Sequence, residues 1–137
     1  MSVLEQNKAT VPRFNKEFIE QGNMNSFAEI VDTSFINHSA PPGVPKGPEG
    51  VIFFFNQFLK RAFPDLVVSI NDQVAEEDKV TTYKTFIATH RGELFGVPAS
   101  ERKVFIEVMD VIRLKDGKFM DHWNVVDWQA VMQQITI

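Results

Sequence analysis

Near the end of a 137-residue chain, the run DHWNVVD (Asp121 to Asp127) sets an imidazole, an indole and a carboxamide side by side. An imidazole moves protons near neutral pH, whereas an amide donates and accepts hydrogen bonds without ionising. Earlier, VFIEVMDVIRL carries Val104, Ile106, Val108, Asp110, Ile112 and Leu114 at alternate positions. Alternation assigns that set to the buried face of a strand, which makes Asp110 a carboxylate on an apolar face. Burying a carboxylate is costly unless it is paired, protonated or facing a cavity. Asp110 is therefore either a satisfied structural residue or a proton-transfer group lining a cavity.

What faces Asp110 depends on the turn in LKDGK. If Lys115-Asp116 make a type I turn with Gly117 as a left-handed bulge, Leu114 pairs with Lys118. Asp110 then lies opposite His122, and Val108 opposite Asn124. If Asp116-Gly117 make a two-residue type I′ turn, Lys115 pairs with Lys118 and Asp110 faces Trp123. A one-residue slip exchanges the faces, and Phe119, Trp123 and Val125 also suit a buried side, so spacing leaves both registers open. On the preceding strand Val80, Thr82, Lys84, Phe86, Ala88 and His90 share a face, against Tyr83 and Ile87 on the other. If the even face is internal, Lys84 points inward and can pair with Asp110; otherwise its ammonium reaches solvent.

The elements that hold these groups follow from periodicity and breakers. Ser2 and Glu5 fit a capping box, and Leu4, Val11, Phe14 and Phe18 recur at helical spacing, with a kink or interruption predicted at Pro12. Gly22-Asn23 ends that helix, and Asn25 is the predicted cap of a short second one. SFINHS reads as a strand running into the breaker-rich APPGVPKGPEG. Pro48 opens a third helix that ends at Pro64. LVVSINDQVAEE, KVTTYKTFIATH, KVFIEVMDVIRL and KFMDHWNVVDW then read as four strands, antiparallel across their connections, before a short helix capped by Asp127. Helices followed by strands predict an α+β fold, with three N-terminal helices on one face of a curved antiparallel sheet, and residues 1–137 as one domain.

Composition narrows the functional classes. Apolar residues make up 44% and charged residues 23%, so a folded core is expected rather than disorder. Eighteen acidic and fourteen basic residues give a net charge of −4 with no basic block, which argues against nucleic acid as a partner. There is no cysteine, and the histidines His38, His90 and His122 are scattered without an HExxH pattern, so no metal site is expected. MSVLEQNKAT lacks the features of a signal peptide and no apolar run reaches membrane-spanning length, from which a cytoplasmic protein with no membrane partner is expected.

Taken together, NKATVPRFNKEFIEQGN, FINHSAPPG, GPEG, RAFPDL, THRGELFGVPASERKV and VIRLKDGKFMDHW occur in the order and spacing of SnoaL-like polyketide cyclases. The chain resembles that family, also called ester cyclases, of the nuclear-transport-factor-two-like or ketosteroid-isomerase-like superfamily, over nearly its whole length. The resemblance implies an α+β cone with an internal apolar pocket and a homodimer. It implies cofactor-free intramolecular aldol closure of a hydrophobic polyketide ester. It also favours the bulged turn, because in the family the residue after HW points into the pocket. That residue is the family's aspartate, the proposed acid/base; here it is Asn124, which cannot exchange a proton near pH 7.

Three readings follow from the resemblance and its departure. Asp110 with His122 takes over proton transfer while Asn124 orients a carbonyl; or the pocket binds a small molecule without turning it over; or the fold is a dimeric scaffold. Substrate contacts are expected from His38 at the end of the first strand, from Lys84, from His90 in the family's THxG pattern, and from Phe95. Phe95 lies in a loop, with Val97 and Pro98, expected to cover the pocket mouth. Trp123 alternates away from His122 and is expected in packing or a dimer contact. Arg113 is expected on the face opposite Asp110.

Overall fold

In the computed structural model, which describes residues 1–136, helix α1 (Val3–Phe14) begins where Ser2 Oγ accepts the Glu5 N–H at 3.1 Å. Pro12 does not end the helix. The chain stays helical to Phe14 and continues as a π-helical segment, Asn15–Glu20. Pro12 brings no N–H to the Lys8 carbonyl, and that oxygen instead accepts the Gln73 side-chain amide at 3.3 Å. Gly22 then turns the chain at φ +69°. Asn23 rather than Asn25 caps α2 (Met24–Ile30), accepting the N–H groups of Asn25 and Ser26 at 2.9 and 3.1 Å.

Strand β1 (Val31–Asn37) follows α2 directly and starts three residues before the SFINHS motif. Helix α3 (Pro48–Phe53) has Pro48 in its first turn and passes through a π-helical Phe54–Leu59 into α4 (Lys60–Ala62). The strands β2 (Val67–Glu76), β3 (Lys79–Thr89), β4 (Lys103–Lys115) and β5 (Lys118–Val126) come next, then α5 (Trp128–Thr136), whose first turn Asp127 caps at 3.0 Å. Sheet order is β1-β5-β4-β3-β2. The last four are antiparallel in sequence, and β1 adds to β5 in parallel. The fold is thus the α+β arrangement expected: helices laid on the inner face of a five-stranded curved sheet.

On β3 and β4 the even-numbered residues face inward. Val80, Phe86 and Ala88 meet Val104, Ile106, Val108, Ile112 and Leu114, all buried against Val11, Phe14, Phe18 and Leu59 of the helical layer. Burying each such aliphatic or phenyl side chain contributes about 1.5–3 kcal/mol, enough to hold two charged groups, Lys84 and Asp110, on the same face.

The β4–β5 hairpin departs from both predicted registers. Asp116 (φ 52°) and Gly117 (φ 77°) form a two-residue type I′ turn, and Lys115 pairs with Lys118, so the bulged turn is not used. Leu114 pairs with Phe119, but Arg113 pairs with Asp121, leaving Met120 as an extra residue. This β-bulge shifts the phase once more, so that Ile112 faces His122 and Asp110 faces Asn124. Phe119 before the bulge and the even-numbered residues from His122 onward therefore share the inner face with the even-numbered residues of β4, and Trp123 points outward.

Candidate active site

An apolar cavity of about 120 Å³ lies between the sheet and the helices, walled by Phe14, Phe35, Phe55, Ile106 and Phe119 among others. Lys84, Asp110, His122 and Asn124 project into it from β3, β4 and β5. Asp110 is 3% exposed. Its Oδ2 lies 2.9 Å from Lys84 Nζ, while its buried Oδ1 has no hydrogen-bond partner among the described residues. The Lys84 side chain is 6% exposed, so its ammonium stays inside; it also donates to Asn15 Oδ1 at 2.8 Å. Asn15 is itself fixed, because its Nδ2 donates to the Val11 carbonyl at 2.8 Å.

His122 is oriented from β1. Its Nδ1 lies 3.0 Å from Asn37 Oδ1, which also accepts the Ser39 N–H at 3.0 Å. That oxygen can only accept, so Nδ1 carries the proton and Nε2 is the bare nitrogen. Burial is the main reason that the His122 pKa falls to about 4; Asp110 opposes the fall, and the Lys84 and His38 charges add to it. At neutral pH the imidazole is uncharged, a weak base and a hydrogen-bond acceptor. No hydrogen bond joins Asp110 to His122: the ionic partner of Asp110 is Lys84. Ser39 Oγ accepts the Asn124 N–H at 2.9 Å and holds β5 where the Asn124 amide reaches the cavity.

Three of the residues expected to contact substrate are placed elsewhere. His38 sits on the outer side, its Nε2 2.8 Å from Asp121 Oδ1 and its ring stacked on Trp123 at 4.7 Å. His38 follows the end of β1, where its N–H donates to the His122 carbonyl at 2.9 Å and the chain turns, while Asn37 and Ser39 on either side line the cavity. Burial acts to raise the Asp121 pKa, but hydrogen bonds from His38 and from Arg113 at 2.6 Å outweigh it and keep Asp121 below the usual carboxylate range. His90 is fully buried away from the cavity wall, with Nδ1 accepting the Ser100 N–H at 3.1 Å and lying 2.9 Å from Ser100 Oγ. It ties down the loop between β3 and β4. Phe95 stands half exposed at the tip of that loop, against Phe58 and Trp128 at 5.6 and 5.4 Å. Trp128 lines the cavity, so Phe95 reaches it only through that ring.

Asn15, Asn37 and Ser39 are the polar groups that sequence reasoning missed. Asn15 had a signal: it is an amide on the apolar stripe of Val11, Phe14 and Phe18. Asn37 and Ser39 flank the histidine of INHS, and only the bonds of this strand end and turn to β5 decide which of the three face inward. No group of three or more histidine or acidic side chains among the described residues is placed to hold a metal ion, and no described helix is long and apolar enough to cross a membrane.

A family profile described as SnoaL-like polyketide cyclase matches residues 9–135. The chain is 28% identical over 123 residues to aklanonic acid methyl ester cyclase DnrD of Streptomyces peucetius, covering 87% of this chain and 83% of that enzyme. It is 32% identical over 56 residues to nogalonic acid methyl ester cyclase of Streptomyces nogalater, a match spanning 41% of this chain and 42% of that one. Among solved structures, IdmH of Streptomyces antibioticus, a proposed polyketide cyclase, superposes with a TM-score of 0.86 at 25% identity, covering 96% of this chain and 99% of its own. A proposed SnoaL-like cyclase from Jannaschia sp. CCS1 gives 0.83 at 28% identity, over 99% and 96%.

Proposed function

The chain belongs to the SnoaL-like polyketide cyclase family, and from that premise we propose that it is a cofactor-independent cyclase acting on a hydrophobic polyketide ester by intramolecular aldol or related carbonyl chemistry. The observation that carries this reading is Asp110: a carboxylate almost wholly buried in an apolar cavity, with one oxygen free to take a proton. Asp110 supplies the base that Asn124 cannot. Asn124 orients a carbonyl through its amide, and neutral His122 accepts a hydrogen bond from a substrate hydroxyl or enol. The apolar wall holds the chain folded for ring closure and excludes water from the enolate. The further substrate contact is Lys84 in the cavity, with Phe95 backing the Trp128 ring that lines it and His90 and His38 supporting the surrounding loops.

The test is ring closure of aklanonic acid methyl ester, followed chromatographically, by wild type, Asp110→Asn and Asn124→Asp. Wild-type turnover that falls by about 10²–10⁴ in Asp110→Asn supports the assignment. Turnover unaffected by Asp110→Asn sinks it. Turnover in Asn124→Asp alone favours the second reading, for which Asn124 itself speaks: a binder that has lost the family's acid.

A further inference from the structure

We propose that Lys84 is a catalytic residue of this cavity: its ammonium holds the enolate oxygen of a ketone or ester substrate while Asp110 Oδ1 takes the α-proton. The proposal rests on the carbonyl-chemistry reading above and adds the electrophile. Lys84 Nζ is bound by Asp110 Oδ2 at 2.9 Å and by Asn15 Oδ1 at 2.8 Å. An ammonium has three N–H groups, so one has no hydrogen-bonded partner among the described residues. Nζ otherwise meets only the Phe86 ring face at 5.3 Å, and that N–H remains for a ligand in the cavity that Lys84 lines. Asp110 shows the complementary vacancy, since its Oδ1 is buried and unpartnered among the described residues. One ligand carbonyl with an adjacent C–H satisfies both groups: its oxygen accepts from Lys84 and its α-proton faces Asp110. Asn15 acts as a positioning residue, anchored on the Val11 carbonyl so that it presents only its oxygen to the ammonium.

The pair also answers the electrostatic problem of making an enolate out of water. When the α-C–H bond breaks, the proton goes to Asp110 Oδ1 and the electron pair passes into the carbonyl, giving an enolate oxygen beside Lys84. The cavity then holds ammonium and enolate in place of ammonium and carboxylate. The anion changes place next to the same cation, and no new charge is created in a low-dielectric site. The enolate carbon attacks a second carbonyl, the resulting alkoxide takes the proton back from Asp110, and the ion pair is restored. With neutral His122, the titratable wall of the cavity sums to zero. The class of substrate it fits is an uncharged, enolisable ketone or ester; a carboxylate would set a second anion beside Asp110.

The first experiment uses 2-tetralone in D₂O and follows exchange of its α-protons by proton NMR, independently of any ring closure. Wild type is expected to accelerate exchange, Lys84→Met to slow it about 10²–10³-fold with tetralone affinity little changed, and Lys84→Arg to recover part of the loss. Lys84→Met strands the Asp110 carboxylate, so a second comparison avoids that variant. 4-Nitrophenol, whose absorbance reports its ionisation, is expected to bind as the phenolate to Asp110→Asn and as the neutral phenol to Asp110→Asn/Lys84→Met. Absence of wild-type exchange, equal exchange by folded Lys84→Met, or the same nitrophenol ionisation in both backgrounds overturns the proposal. Exchange without ring closure of the methyl ester would keep the role of Lys84 and remove the cyclase reading. Ring closure by folded Lys84→Met at the wild-type rate would do the reverse.

Discussion

Among the described residues Lys84 and Asp110 are each other's only charged partner in a wall of phenyl and aliphatic groups, so removing one exposes the other to full desolvation. Asp110→Ala is expected to lower stability by about 3–5 kcal/mol, while Lys84→Met/Asp110→Leu returns it near wild type because no charge is left stranded. Urea denaturation of the single and double variants measures this. His122 gives the pH dependence a definite sign. Its pKa is 6.5 when unperturbed and about 4 in the fold, so between those values the unfolded chain binds the proton and the folded chain does not. Stability is therefore expected to fall as pH drops from about 6.5 to about 4, by up to ~3 kcal/mol from this residue. His122→Gln removes that part of the slope, while carboxylates such as Asp121 keep theirs. Parallel pH-stability curves of wild type and His122→Gln isolate it; identical curves would refute the assignment.

At the scale of elements, the bulge at Met120 decides which side of β5 enters the cavity. The type I′ turn sets one phase from Lys118 to Phe119, and the extra residue restores His122 and Asn124 to the inner face. Excising Met120 turns the hairpin into a regular ladder in which Asp110 still faces Asn124, so the fold and cavity are expected to survive with a modest loss of stability. Excising Trp123 changes the phase between His122 and Asn124, and one of them must turn outward with a hydrophobic residue in its place. Near-UV circular dichroism and the urea midpoint should separate the two deletions clearly. Equal damage from both would mean that the bulge itself, and not the face it restores, is what the hairpin needs.

For the molecule as a whole, the outer face of the sheet is the feature left without cover. Met109 is 50% exposed, Trp123 38% and Val125 73%, and the pairing of Met109 with Val125 and of Val111 with Trp123 makes them one contiguous patch, with Phe105, 46% exposed, beyond Glu107 on the same face. The homodimer that the family resemblance implies is expected to form through this face. Met109→Glu/Val125→Glu is expected to convert a dimer to a monomer by light scattering after size exclusion, with tetralone exchange retained because the cavity opens on the other face. A wild-type monomer, or a dimer unaffected by the two charges, would refute this interface.

Residue order alone determined much of this. Although the sequence left open whether Lys84 turned inward beside Asp110, alternation along VFIEVMDVIRL assigned Asp110 to the inside, and the breakers at Gly22, Pro48 and Pro64 bounded the helices. These are local signals, set by a period of two in strands and by backbone chemistry at caps and turns. The tertiary structure decided what depends on long-range pairing. A single extra residue in β5 reversed a face, which no hydrophobic pattern could register while Phe119 and Trp123 suited both sides. The parallel pairing of β1 with β5 joined Asn37 to His122 across 85 residues and sent His38 outward. The packing of α1 on the sheet brought Asn15 to Lys84 across 69 residues. Side-chain type states what a group can do, but which groups meet is set by register and packing between distant segments, where a one-residue shift changes every partner.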